Sequence, residues 1–137
     1  SGISVDLTTG TATDGFGGTD SLVGITAVRG TSFADTILGS ASNDRLRGLQ
    51  GNDLLDGRGG TGDIADYSAN AASQAVSVNL DAGRANDGLL GTDTLISIEQ
   101  VRATGGSDTL IGGNGNELLR GNGGNDYVGR LCCIAAA

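Results

Sequence analysis

A nine-residue period runs through most of the sequence. The first half contains, from Gly30 onwards, GTSFADTIL, GSASNDRLR and GLQGNDLLD, and then a looser GRGGTGDIA with one extra residue before Asp63. The second half contains ATGGSDTLI, GGNGNELLR and GNGGNDYVG from Ala103 onwards. The sixth position of the regular nonapeptides is acidic: Asp35, Asp44, Asp53, Asp108, Glu117 and Asp126. The eighth is aliphatic: Ile37, Leu46, Leu55, Leu110, Leu119 and Val128. A linker or a string of ordinary turns needs no such aliphatic position, so the period indicates a repeat fold.

A longer repeat encloses the short one. The segment that begins at Ile3 returns at Val76, with a constant offset of about 73 positions. We therefore divide the chain into a first unit at 1–65, a connector at 66–74 and a second unit at 75–130. Each unit begins with an arm, at 1–29 and 75–102, and continues with nonapeptides, at 30–65 and 103–130.

The composition excludes several classes of function. The chain of 137 residues has 26 Gly, no Pro, 3% aromatic residues and no His, with a formal charge of −8. This charge disfavours nucleic acid as a partner and is compatible with a cation. The absence of His removes Ser-His-Asp catalysis and histidine metal sites. No apolar run is long enough to span a membrane. The chain has too few large apolar residues to build an extensive core. We therefore expect it to be disordered without a ligand.

The last seven residues do not follow the repeat. Cys132 and Cys133 are adjacent, which makes them poor disulfide partners and too few for a zinc site. We interpret 131–137 as a remnant without a function of its own.

The spacing of Gly and Asp suits a calcium site. Glycines allow the backbone conformations in which several carbonyl oxygens point to one place, and an Asp at the end of the turn adds a carboxylate. Calcium prefers six to eight oxygen ligands of these two kinds. We therefore expect Ca²⁺ to bind at the turns and to be coupled to folding, because the unfolded chain holds no preformed site.

The nonapeptides resemble the RTX, or hemolysin-type, repeat GGxGxDxUx. GLQGNDLLD, GGNGNELLR and GNGGNDYVG are the nearest matches. The resemblance implies an all-β parallel β-roll, or β-solenoid, in which six residues turn, three form a strand and two nonapeptides complete one coil. It also implies type I secretion and folding outside the cell, where calcium is plentiful. We expect the chain to be part of a larger exported protein whose other domains are missing from it.

In such a roll, turns on the same side recur every second nonapeptide. We predict that calcium lies between Asp35 and Asp53, between Asp44 and Asp63, and between Asp108 and Asp126. The carbonyl ligands are predicted to come from Gly30, Ser32, Gly48, Gln50, Gly51, Gly57, Gly59, Gly121, Gly123 and Gly124. The pattern departs from the family at Phe33 and Ser42, which replace Gly, at Gly62, which shifts a turn, and at Glu117, which replaces Asp.

The arms are predicted to form short strands and to add further coils to the stack. Asp14, Asp20, Asp87 and Asp93 either bind calcium in longer loops or cap turns. An EF-hand does not fit, because no D-x-[DN]-x-[DN]-G loop is present.

The function we favour is a secreted, non-catalytic calcium-binding module that supports the export and stability of a larger protein. One alternative is a solenoid surface that binds carbohydrate or ice. Another is a polysaccharide-acting enzyme, although its catalytic carboxylates should interrupt the period rather than follow it. Exposed ends of a solenoid can pair, so a homodimer through these ends is a further possibility.

Overall fold

The computed structural model describes residues 1–130, which form fifteen short β-strands and no helix. The segment 131–137, with Cys132 and Cys133, lies outside the described residues, and so does the interpretation of it as a remnant. Within residues 1–130, no helix has the length and apolar character of a membrane span.

The strands form two sheets. Sheet A contains ten strands in the spatial order β15 (Tyr127–Arg130), β13 (Thr109–Gly112), β9 (Ser77–Asn79), β10 (Arg84–Asn86), β11 (Thr92–Ile96), β7 (Leu54–Asp56), β5 (Thr36–Leu38), β1 (Ser4–Asp6), β2 (Thr11–Thr13) and β3 (Thr19–Ser21). Sheet B contains five strands in the order β14 (Leu118–Arg120), β12 (Gln100–Arg102), β8 (Ile64–Asp66), β6 (Arg45–Arg47) and β4 (Ala27–Arg29).

Consecutive nonapeptides alternate between the sheets. The strands β5, β6, β7 and β8 belong to sheets A, B, A and B in turn. β7 therefore stacks on β5 in parallel, with Leu55 opposite Ile37, and β8 stacks on β6, with Ala65 opposite Leu46. Two nonapeptides thus complete one coil, and the predicted all-β parallel β-roll is confirmed.

The core is a single row of side chains from each sheet. Successive residues of a strand point to opposite faces, so a three-residue strand buries only its middle side chain. Ile37, Leu46 and Leu55 are these middle residues, and all three are fully buried. Leu110 is also fully buried, whereas Val128, in the last coil of the part of the chain that the structure describes, is 54% exposed.

The arms differ from the prediction of further parallel coils. In the first arm, β1 stacks on β5 and β4 stacks on β6, as a coil would. Between them, however, β2 and β3 fold back as an antiparallel meander. In the second arm, β9, β10 and β11 form the same meander. The expectation was wrong for these strands, because the segments between them are tight turns that return the chain beside the strand it has just left.

The two units form one continuous stack. β11 pairs in parallel with β7, and β12 pairs in parallel with β8. β8 ends at Asp66, whose buried carboxylate accepts hydrogen bonds from the guanidinium groups of Arg45 and Arg47. Burial raises the pKa of Asp66, but hydrogen bonds from Ser68 and the two arginines outweigh this effect and lower it to about 2. The negative charge of this carboxylate is therefore balanced by arginines of the protein itself, unlike the charges of the predicted calcium pairs.

Candidate metal centre

The acidic residues of the turns form hydrogen-bonded stacks along the edges of the roll. In each predicted pair, the carboxylate of the later residue accepts the backbone N–H of the earlier residue, one coil away. The N···Oδ1 distances are 2.8 Å for Asp35–Asp53, 2.7 Å for Asp44–Asp63 and 3.0 Å for Asp108–Asp126. The structure therefore brings together all three predicted pairs. The extra residue at Gly62 does not remove Asp63 from its stack.

The stacked turns contain the residues predicted to supply carbonyl oxygens. Gly30 and Ser32 precede Asp35, and Gly48, Gln50 and Gly51 precede Asp53. The remaining members are Gly57 and Gly59 before Asp63, and Gly121, Gly123 and Gly124 before Asp126. The role of these carbonyls in holding calcium stays a prediction.

The turns of the three predicted pairs fall into two classes that differ in how the carboxylate is satisfied. In the first class, a Thr or Ser four residues before the Asp donates from its backbone N–H to Oδ2 and from its hydroxyl to the carboxylate. This residue is Thr31 for Asp35, Ser40 for Asp44 and Thr104 for Asp108. In these turns the protein itself supplies several donors to the acid.

In the second class, the second residue of the turn has a positive φ and supplies no such hydroxyl. This residue is Leu49 at +81°, Arg58 at +62° and Asn122 at +69°, in the turns that end at Asp53, Asp63 and Asp126. Asp53 Oδ2 and Asp63 Oδ2 are buried and accept no hydrogen bond. A buried carboxylate oxygen without a donor is costly, and a cation would satisfy it.

Oxygen atoms from successive coils come close together beside glycines of the turns, and one of these oxygens is the orphaned Oδ2 of Asp63. A methyl group placed on Gly60 would lie 2.7 Å from the carbonyl oxygen of Ser42 and 3.1 Å from Asp63 Oδ2. A methyl group on Gly39 would lie 2.5 Å from the carbonyl oxygen of Gly57 and 2.8 Å from Asp44 Oδ2. At both glycines, the lack of a side chain thus lets a carbonyl oxygen and a carboxylate oxygen approach each other closely. This mixture of oxygens fits Ca²⁺, which accepts both kinds of ligand in irregular geometry.

Among residues 1–130, no three acidic or cysteine side chains are arranged to hold a metal ion together. A site here would therefore combine one or two carboxylates with backbone carbonyls rather than rest on a carboxylate triad. Such a site is compatible with calcium, whose coordination commonly includes backbone carbonyls.

Two carboxylates of the second class, those of Asp53 and Asp63, have raised pKa values. Burial, reinforced by the negative charges of Asp93, Asp35 and Asp87, raises the pKa of Asp53 to about 7. Burial, with the charges of Glu99 and Asp44, raises the pKa of Asp63 to about 6. Both shifts disfavour the charged form of the acids that lack a donor. A divalent cation would reverse this effect by neutralising them.

These shifts predict how pH affects the ion-free fold. The folded pKa values of about 7 and 6 exceed the ordinary value of 3.8, so the folded chain holds more protons than the unfolded chain between about pH 4 and pH 7. The free energy of unfolding must then fall as the pH rises through this range. In calcium-free buffer, far-ultraviolet circular dichroism should show a larger folded fraction at about pH 5 than at about pH 7.5. A larger folded fraction at the higher pH would contradict the assigned shifts.

Two members of the stacks were not paired with a turn in the sequence analysis, which named Asp93 as a calcium ligand of a longer loop or a turn cap and did not name Glu99. Asp93 Oδ1 accepts the backbone N–H of Asp53 at 3.1 Å, and its Oδ2 accepts the hydroxyl of Tyr67 at 2.8 Å. Burial, together with the charge of Asp87, raises the pKa of Asp93 to about 6. Glu99 Oε2 accepts the backbone N–H of Asp63 at 3.0 Å.

A signal for Asp93 was present in the sequence. GLLGTDTLI, from Gly88, places Asp93 sixth and Leu95 eighth, which is the spacing of a nonapeptide. Glu99 lies in a shorter turn outside the nine-residue period, and its signal is weaker: Val101 follows it by the same two-residue step that separates Asp from the aliphatic position elsewhere. Its place beside Asp63 follows from the stacking of β12 on β8.

The acidic residues of the arms, for which the sequence left calcium binding or turn capping open, differ in their hydrogen bonds and in their exposure. Asp14 and Asp87 cap equivalent turns, in which Oδ1 accepts two backbone N–H groups. Asp87 Oδ2 is, in addition, buried without a hydrogen bond. Asp20 is exposed, in contrast to its equivalent Asp93. Turn capping thus explains the role of the Oδ1 atom in both Asp14 and Asp87.

Glu117 has a cationic partner of its own. Its Oε2 lies 3.6 Å from Nη2 of Arg130, and Nε of the same arginine donates to the carbonyl oxygen of Gly113 at 3.2 Å. Arg130 also donates to the carbonyl oxygen of Gly115. In this turn, a guanidinium group contacts carbonyl and carboxylate oxygens together.

A comparison with protein families agrees with this geometry. The model of the RTX calcium-binding nonapeptide repeat matches residues 29–64 and 87–128, in four copies. The match covers more than half of the chain, so the chain belongs to the RTX calcium-binding nonapeptide repeat family. The second matched range includes the nonapeptide that ends at Ile96. No curated protein matches the chain.

Proposed function

We propose that the chain is a non-catalytic calcium-binding module whose folding is coupled to ion binding. Calcium binding is the property of the family to which it belongs. The observation that carries the proposal is the pair of orphaned oxygens, Asp53 Oδ2 and Asp63 Oδ2, on side chains that are each 1% exposed. Buried charges in proteins are paired or coordinate metals.

The protein supplies no cation to these two acids. The ion pairs within residues 1–130 involve Asp6, Asp66 and Glu117, and none involves an Asp of the predicted calcium pairs. Stacked carboxylates about 4.8 Å apart repel each other, since this is the spacing between neighbouring strands. An external divalent ion between the coils would turn this repulsion into attraction, which supports calcium as the stabilising component.

The same physics supports a role in export. A chain that is unstable without calcium stays unfolded where calcium is scarce and folds where it is abundant. The family resemblance implies this sequence of events for proteins secreted by the type I route. We propose accordingly that the module is secreted, folds outside the cell and stabilises the larger exported protein to which it belongs.

We propose that the module is non-catalytic because its carboxylates recur with the structural period. Each acid of the three pairs contacts a backbone N–H group of the stack rather than an open cleft, which is where a substrate would bind. A catalytic pair for glycoside hydrolysis requires two carboxylates that flank a bound sugar.

Asp53→Asn tests the role of this carboxylate. Asparagine keeps an oxygen for the N–H of Asp35 but removes the charge, so we expect the calcium concentration at the folding midpoint to rise by about tenfold. The ion-free chain should not be destabilised, because the variant also removes a buried charge whose pKa is raised. Calcium titrations followed by circular dichroism measure both effects.

Asp56→Asn is the matched control. Asp56 is the last residue of β7, the strand that directly follows Asp53, and its Oδ1 accepts the exposed backbone N–H of Arg58 rather than that of a stacked turn. The charge change is identical, so any general electrostatic effect should appear in both variants. Equal calcium midpoints for the two variants would argue against Asp53 as a ligand.

A further inference from the structure

The junction between the two units gives a template for the binding of one roll to another. At this junction, β11 of the second unit lies along β7 of the first, in parallel. Thr94 donates its N–H to the carbonyl oxygen of Asp53 at 2.8 Å, and Gly57 donates to that of Ile96 at 2.9 Å. The junction buries Leu95 to 5% exposure and Asp93 completely.

The first unit carries an equivalent of β11 that has no partner on its outer edge within residues 1–130. This strand is β3, which is the last strand of sheet A. Its segment, GTDSLV from Gly18, corresponds to GTDTLI from Gly91. Leu22 donates its N–H to the carbonyl oxygen of Gly10 at 2.7 Å, just as Leu95 donates to that of Gly83 at 2.9 Å. Because strand residues alternate in direction, the N–H of Ser21 points to the open edge, as that of Thr94 points to β7.

The exposures of the equivalent residues differ as the template predicts. Ile98 is 8% exposed at the junction, whereas its equivalent Ile25 is 43% exposed. Ile96 is 45% exposed, whereas Val23 is 91% exposed. The first unit thus presents, uncovered, the apolar residues that the second unit uses against its neighbour.

The opposite end of sheet A presents the complementary strand. β15 corresponds to β7 by the same offset, and among the strands of residues 1–130 it is the other terminal strand of sheet A. Tyr127 donates its N–H to the carbonyl oxygen of Asp108 at 2.8 Å, just as Leu54 donates to that of Asp35 at 2.9 Å. The N–H of Val128 therefore points to the open edge of β15. Its side chain is 54% exposed, in contrast to the fully buried Leu55.

We propose that the chain binds a second copy of itself head to tail, with β3 of one molecule along β15 of the next. The pairing would repeat the β11–β7 ladder, with the N–H of Ser21 donating to the carbonyl oxygen of Asp126. It is a form of β-strand addition at exposed sheet edges. The two edges differ, so a dimer still has one free β3 edge and one free β15 edge. Further copies can add to these edges, and the assembly therefore grows with concentration.

Sedimentation equilibrium of the chain in millimolar calcium tests the proposal. We expect the weight-average mass to rise with concentration from 13.5 kDa to beyond that of a dimer. Ser21→Pro removes the backbone N–H donor on the open edge of β3, the head edge. Val128→Pro removes the backbone N–H donor on the open edge of β15, the tail edge. Proline is tolerated on edge strands where the N–H faces solvent, so both variants should fold. Each should remain a monomer alone.

The mixture of the two variants gives the sharpest outcome. Ser21→Pro keeps an intact tail edge and Val128→Pro keeps an intact head edge, so an equimolar mixture should form a dimer and nothing larger. Circular dichroism checks that each variant is folded. If a proline variant does not fold, Val23→Lys replaces the first and Val128→Lys the second, since both positions are exposed in the single molecule.

Three outcomes would overturn the proposal. The first is a wild-type chain that stays monomeric at all concentrations while folded. The second is a closed dimer that one variant abolishes and the other leaves intact, because this pattern indicates pairing of two identical edges. The third is a mixture of folded variants in which no dimer forms although the wild-type chain associates.

Discussion

In excess EGTA, the chain should lose most of the β-sheet signal that it has in millimolar calcium, and the signal should return cooperatively on titration with calcium. The physical reason is the small core, which receives one side chain from each three-residue strand. The closely stacked carboxylates, among them Asp53 and Asp63 with raised pKa values, oppose folding until a cation neutralises them. Far-ultraviolet circular dichroism measures this transition directly.

Magnesium is the control for this experiment. It prefers octahedral geometry at about 2.0–2.1 Å and retains its water, so irregular turns lined with carbonyls should not suit it. We expect magnesium at the same concentration to restore little of the signal. A chain that melts at the same temperature in EGTA and in calcium would show that ions do not stabilise the roll.

Leu46→Ala should produce the largest loss of stability among single core substitutions in sheet B. Leu46 is fully buried and lies between Val28 and the small Ala65 in the neighbouring strands. With so small a neighbour on one side, the surroundings cannot readily fill the cavity. We expect a loss of about 2–5 kcal/mol in the free energy of unfolding, measured by urea denaturation in saturating calcium.

Leu118→Ala is the matched control for Leu46→Ala. Leu118 also lies in sheet B, in β14, but its side chain points away from the core and is 44% exposed. The same chemical change should cost less than about 1 kcal/mol there. If the two variants lose equal stability, the row of central residues is not the core that we describe.

The nonapeptide period was sufficient to predict the inner row of the roll and the partners in its turns. The two-residue step from Asp to the aliphatic position places Ile37 inside the roll and Asp35 at the turn before it. The period of two nonapeptides per coil also paired Asp35 with Asp53 correctly in space. These features depend only on spacing along the chain, and a repeat fixes spacing.

The arms show where this reasoning stops. The alternation of apolar and polar residues indicated strands but not their direction, and β2 and β10 proved antiparallel to their neighbours. Likewise, Thr31 and Leu49 occupy the same position of their nonapeptides, yet only Thr31 supplies donors to its Asp. The orphaned oxygen of Asp53 is visible only when each hydrogen bond of the turn is known.

Spacing along the chain is enough to predict the repeat, the all-β roll and the Gly-Asp turns, because each depends on residues at fixed short separations. The neighbouring coils at the junction of the two units are known only from the three-dimensional fold. This fold brought Asp93 beneath Asp53 and Glu99 beneath Asp63, and it left Ser21 at an open edge while burying the segment around Thr94. Similar local sequences thus have different surroundings, since burial depends on what stacks against a strand and not on the strand alone.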